Sequence, residues 1–144
     1  MIYFDTCYML KCYLPEPGHA EVSELWRQSE DVVCCELGQV EFASALHRHL
    51  REDRITPDGL KEVLATWHED QAAGLWRWLP LDGLLIAAVV SSFERLSANV
   101  YLRSGDAVHL VCAREQGLTQ IYTNDRHLKL AADHFALTAF DVVP

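Results

Sequence analysis

Four acidic residues, Asp5, Glu41, Asp106 and Asp125, lie far apart in the chain, each near a point where a strand or turn gives way to a helix. Asp5 closes the β-favouring run Met1-Ile2-Tyr3-Phe4, and Asp125 follows Leu118 to Tyr122 through the polar turn Thr123-Asn124-Asp125. Glu41 and Asp106 fall in the first turn or so of their helices. Ligands of an open parallel sheet bind beyond the carboxyl ends of its strands, so these acids can converge on one edge. Taken singly, each has an ordinary explanation. A carboxylate at a helix N-terminus gains roughly 0.3 to 1 kcal/mol from the dipole, Glu41 can be a solvated helix residue, and Asp5 a turn former. Taken together they suit metal chemistry. Carboxylates within a few ångströms raise one another's pKa unless a cation compensates, and Mg²⁺ or Mn²⁺, which seek oxygen ligands and keep several waters, match that role. Without metal, Asp106→Asn or Asp125→Asn is therefore expected to leave the protein as stable as before or more so.

The elements that must carry these acids are legible in outline. Tyr8 to Leu14 is an apolar helical stretch stopped by Pro15 and Pro17. Val22, Leu25 and Trp26 recur at helical spacing between Ala20 and Gln28, and Val32-Val33-Cys34-Cys35 reads as a buried second strand. From Gln39 to Arg51, the residues Val40, Ala43, Leu46, His47 and Leu50 mark one helix face. Thr56 caps the next helix, with Pro57 at its first position and an end near His68. Trp76 to Leu81, broken by Pro80, fits an edge strand, and Asp82 caps a helix to about Leu96. Ser104 is expected to cap the helix Asp106 to Glu115, which stops at Gly117. A strand Leu118 to Tyr122, a short helix Arg126 to Ala132 and a strand Ala139 to Val143 complete the chain. Strands alternating with helices predict a three-layer α/β/α fold around a central parallel sheet, as one domain over residues 1–144.

Composition narrows the chemistry. Twelve Lys and Arg against 21 Asp and Glu give a net charge of −9, which disfavours a broad basic face for polyanions. Any nucleic-acid chemistry must then enlist bound cations. The apolar run Leu84 to Val90 is far short of the roughly 20 residues a membrane span needs, and a cytoplasmic location is the expectation. The five cysteines, Cys7, Cys12, Cys34, Cys35 and Cys112, are odd in number and lack a C-x-x-C pair, so they read as reduced and mostly buried thiols. His47-x-His49 points its rings to different sides of a helix and is expected at the surface, and His109 is expected to be a packed or solvated side chain rather than a general base. No phosphate-binding glycine loop, dinucleotide fingerprint, nucleophile elbow or D-x-D-x-[TV] motif is present.

The segments Tyr3-Phe4-Asp5-Thr6, Val40-Glu41-Phe42, Leu102 to Leu110 and Tyr122-Thr123-Asn124-Asp125 resemble the four signature blocks of PIN-domain proteins, and in particular the VapC-type toxins of bacterial toxin–antitoxin pairs. The resemblance covers nearly the whole chain, with the blocks in the family's order. It implies a Mg²⁺- or Mn²⁺-dependent RNA endonuclease whose metal-binding and catalytic acids are Asp5, Glu41, Asp106 and Asp125. Thr6 and Thr123 would be hydroxyls that orient carboxylates or water. It also implies an RNA substrate, a cognate antitoxin with a basic segment, and a homodimer. Cys34 and Cys35 depart from the pattern, because many relatives carry Ser or Thr there.

In such an enzyme, Arg48, Arg51, Arg103, Arg126 and Lys129, which adjoin the acids in sequence, would follow the RNA backbone. The rival from another class is a catalytically silent PIN fold that only binds RNA or protein; its mark would be loss of an acid, and all four are present. An unrelated phosphoacceptor receiver would need an adjacent acidic pair and a Lys after a late strand, which the chain lacks.

Overall fold

Side-chain alternation along two short strands sets the layers of the molecule. The structure, a computed structural model, describes residues 1–144. Strands β1 (Ile2–Tyr3), β2 (Val32–Cys35) and β3 (Arg77–Leu79) pair in parallel, as do β4 (Gln120–Tyr122) and β5 (Thr138–Phe140). A parallel bridge between Phe4 and Tyr122, with Asp5 N–H donating to Tyr122 O at 3.2 Å, joins the two groups in the order β3-β2-β1-β4-β5. The chain grows outward from β1 to β3 and then returns to the other side of β1. The junction of β1 with β4 is therefore the switch point at which open sheets of this kind bind ligands.

Seven helices cover the sheet: α1 (Thr6–Tyr13), α2 (His19–Gln28), α3 (Leu37–Arg51), α4 (Pro57–Ala72), α5 (Gly83–Arg95), α6 (Ser104–Glu115) and α7 (Arg126–Ala131), followed by a 3-10 turn (Ala132–Phe135). Tyr3, Val33, Cys35 and Ile121 pack on one side with Leu85, Leu110, Leu128 and Phe135. Phe4, Val32 and Cys34 pack on the other with Tyr8, Met9, Phe42 and Trp67. The result is the expected three-layer α/β/α arrangement. Phe42 and Leu110 are fully buried on opposite faces, each contributing about 1.5 to 3 kcal/mol of apolar burial. Vicinal Cys34 and Cys35 point to opposite sides of the sheet, so they cannot act as a pair, and all five cysteines are free thiols.

Several boundaries differ from the sequence expectation for local reasons. Helix α1 starts at Thr6 rather than Tyr8, because Asp5 caps it by accepting the Tyr8 N–H at 3.0 Å. Helix α3 starts at Leu37, two residues before its apolar pattern becomes clear. Helix α4 runs on to Ala72, and the left-handed Gly74 marks the turn that follows. Ser104 is the first helical residue of α6 and not its cap; Arg103 holds the cap position and makes no side-chain capping bond. The closing strand is Thr138–Phe140, ending before Val143. No helix is long and apolar enough to cross a membrane.

Candidate active site

The four acids reach one open cleft of about 500 Å³ by four different routes. Asp5 leaves the end of β1 and caps α1, Glu41 lies in the second turn of α3, Asp106 in the first turn of α6, and Asp125 caps α7 by accepting from His127 N–H at 2.8 Å and Leu128 N–H at 3.1 Å. Asp5 is the deepest, only 4% exposed, beside the β1–β4 switch point. The Thr123 hydroxyl, 118 residues away in sequence, donates to its Oδ2. Thr6, in the first turn of α1, donates its hydroxyl to Glu41 Oε2. Both threonines therefore hold carboxylates, the role that the family resemblance implies for them.

The acids are not four bare charges facing one another. Arg103 reaches across the cleft, its Nε 2.8 Å from Asp106 Oδ2 and its Nη2 2.6 Å from Asp125 Oδ2. The imidazole of His109 stands 2.8 Å from Glu41 Oε2. Burial pushes the Asp5 carboxyl above its ordinary pKa, and hydrogen bonds from Cys7, Thr123 and the Tyr8 N–H only partly offset this. Burial acts on Glu41 too, but there the hydrogen bond and charge of His109, with Thr6 and Arg103, outweigh it and hold the carboxyl low. For Asp125 burial is likewise outweighed, by the Leu128 N–H, Arg103 and the His127 N–H. The expectation that Asp125 destabilises the metal-free protein is thus corrected: its charge is capped and paired. Of Asp5, Glu41 and Asp125, only Asp5 has its carboxyl raised by burial.

Two further residues take part to which the sequence reading gives no role in the site. Cys7 sits between Asp5 and the β4 loop, donating from Sγ to Asp5 Oδ1 at 2.9 Å and accepting the Asn124 N–H at 3.2 Å. Burial and the Asp5 charge push its thiol pKa well up, so it keeps the hydrogen it donates. His109 is packed, as one of the two expected alternatives has it, and is also a bonded neighbour of Glu41, three residues after Asp106 on the inward side of α6. His49, expected at the surface, is also buried, and its ring meets Glu16 in the segment after α1 at 3.3 Å. Of the five cations expected along the backbone path, Arg48 and Arg103 line the cleft, whereas Lys129 is held by Asp141 at 2.6 Å and Arg51 leans on Glu52.

The PIN domain model matches residues 2–133. The chain belongs to the PIN-domain family. Solved structures share the fold of this PIN domain at low identity. FitAcB from Neisseria gonorrhoeae matches at 22% identity over 97% of this chain and 96% of that one, with a TM-score of 0.73. VapC20 of Mycobacterium tuberculosis, a Sarcin-Ricin loop cleaving toxin, matches at 16% over 91% and 95%, with a TM-score of 0.71. VapBC2 from Rickettsia felis, bound to a DNA fragment from its promoter, matches at 10% over 98% of both, with a TM-score of 0.66. No curated protein sequence matches the chain.

The donor set of this PIN domain can be tested against a cation. Its four carboxylates supply only oxygen, and in the present arrangement no group of three or more His, Cys, Asp or Glu side chains is placed to hold an ion together. Oxygen-only donors of this kind suit Mg²⁺ or Mn²⁺, since Mg²⁺ typically takes one or two carboxylates and keeps its waters.

Proposed function

We propose that this PIN domain is a Mg²⁺- or Mn²⁺-dependent RNA endonuclease and the toxin of a toxin–antitoxin pair, with Asp5, Glu41, Asp106 and Asp125 as metal-binding and catalytic acids. The observation that carries the reading is the convergence of these four carboxylates, from four separate elements, on one cleft at the β1–β4 switch point. Bound there, the ion would supply an activated water and charge stabilisation for the phosphodiester. The protein's own share is positional. Thr123 and Cys7 fix Asp5, Thr6 and His109 fix Glu41, and the α7 N–H groups fix Asp125. Arg48 lines the same cleft on the face of α3 that carries Glu41 and supplies a cation for the RNA backbone despite the overall charge of −9.

An antitoxin partner is part of the proposal. The VapBC2 neighbour is bound to a DNA fragment from its promoter, and an acidic cleft attracts a basic residue from an inhibitor. A second copy of the chain is proposed to cover the exposed apolar stripe Ile86, Val90 and Phe93 on α5. Light scattering that found only monomer at every concentration would remove the dimer.

The test of activity is incubation of the purified protein with total RNA in EDTA, Mg²⁺ or Mn²⁺, followed by mapping of the new ends. Discrete ends that form only with the metals are expected. RNA left intact in both metals, or cut equally in EDTA, would overturn the reading.

A further inference from the structure

One side chain beside the acids, His109, is more elaborately held than packing requires. It is only 2% exposed, and its ring meets that of Tyr3 edge-on with Nδ1 2.8 Å from the Tyr3 hydroxyl. That hydroxyl already accepts the Cys35 N–H at 3.1 Å, so its own hydrogen is free to be donated to Nδ1. A neutral imidazole has one donor and one acceptor nitrogen, so a hydrogen received at Nδ1 leaves the ring's own hydrogen on Nε2. In the imidazolium both nitrogens carry hydrogen. Nε2 is therefore a donor in either charge state, and it lies 2.8 Å from Glu41 Oε2.

The same oxygen accepts the Thr6 hydroxyl, so Oε2 of Glu41 takes two hydrogen bonds. Oε1 takes none, and it lies against Gly105 at the start of α6, where an added Cβ would stand 2.6 Å away. One oxygen of the carboxylate is tied to the protein by hydrogen bonds while the other makes none.

We propose that His109 is a positioning residue, which through the Tyr3-fixed Nε2–H holds Oε2 of Glu41 and so presents Oε1 to the divalent cation. The proposal rests on the reading of Glu41 as a metal ligand. Its rival is a buried histidine that merely satisfies its own hydrogen bonds between α6 and the sheet.

The discriminating measurement is Mn²⁺ binding to the purified full chain, by electron paramagnetic resonance of free Mn²⁺, with melting temperatures taken in EDTA. His109→Asn keeps an amide near Tyr3 but is too short for Glu41, whereas the amide nitrogen of His109→Gln reaches the Nε2 position. The Asn variant should bind Mn²⁺ about 10- to 100-fold more weakly, and the Gln variant should recover to within about threefold of wild type. Tyr3→Phe, which keeps every side chain facing the metal, should weaken binding by at least about threefold. Wild-type affinity in His109→Asn would overturn the proposal, as would equal losses in the Asn and Gln variants at equal stability. If both His109 variants fail to fold, unchanged affinity in Tyr3→Phe would overturn it instead. Failure of the metal-site reading looks different: wild type itself would bind no Mn²⁺, and this proposal would fall with it.

Discussion

A β-carbon on Gly105 would stand 2.6 Å from Oε1 of Glu41, so these two residues, one on α6 and one on α3, leave no room for a methyl group between them. The nearest obstacle is the end of a flexible side chain and not backbone. Gly105→Ala should therefore fold, gaining up to about 1 kcal/mol of helix propensity, while driving the Glu41 carboxylate from its position. The expected outcome is an unchanged or higher melting temperature with Mn²⁺ affinity reduced about 10-fold or more. Wild-type affinity would show that the close approach has no bearing on a metal.

Asp5 and Asp125 should respond to neutralisation with opposite signs. The folded pKa of Asp5 is raised by burial, so its charge costs stability above the unfolded value of about 3.9. Asp5→Asn should melt at or above wild type in EDTA at pH 7, and the difference should vanish below pH 4. The folded pKa of Asp125 is lowered, so its contribution is present above about pH 4 and lost as the pH falls through the folded value. Asn still caps α7, but the Arg103 pair is lost. Asp125→Asn should thus be less stable at pH 7 by about 0.5 to 1 kcal/mol, a few degrees of melting temperature, converging with wild type in acid. Melts of the three proteins between pH 3 and 8 check both signs.

This sign reversal marks the limit of what the sequence discloses. Asp5 and Asp125 are legible because one directly follows a β-favouring run and the other follows one through a short polar turn, and the order of runs predicts a parallel sheet whose carboxyl ends face one way. Arg103 is visible as an i, i+3 partner of Asp106, but its bond to Asp125 spans 22 residues and exists only once α6 and α7 are packed. The role of His109 is hidden for the same reason: its partners Tyr3, Thr6 and Glu41 lie 68 to 106 positions away. The D-A-V-H-L spacing, which puts it one turn from Asp106 on the inward side, was the available signal. His49 shows the converse error, since helical spacing places the two rings on different sides without saying which side is covered.

Arg103 occupies the space between Asp106 and Asp125 with its side chain half exposed, so a divalent ion bound by either acid must compete with it. Pairs this open contribute about 0.5 to 1 kcal/mol, which corresponds to about two- to fivefold in binding. Arg103→Ala should tighten Mn²⁺ by that factor, read by calorimetry at low salt. Weaker binding in the variant would mean that Arg103 supports the ion rather than opposing it.

The most direct test of the account is cleavage of RNA by wild type and Asp106→Asn, side by side in saturating Mn²⁺ with matched circular dichroism spectra. Wild type should cut in Mn²⁺ and not in EDTA, and Asp106→Asn, folded to the same extent, should lose at least about 100-fold in rate, several kcal/mol of transition-state stabilisation. Cleavage by Asp106→Asn at the wild-type rate would contradict the assigned site.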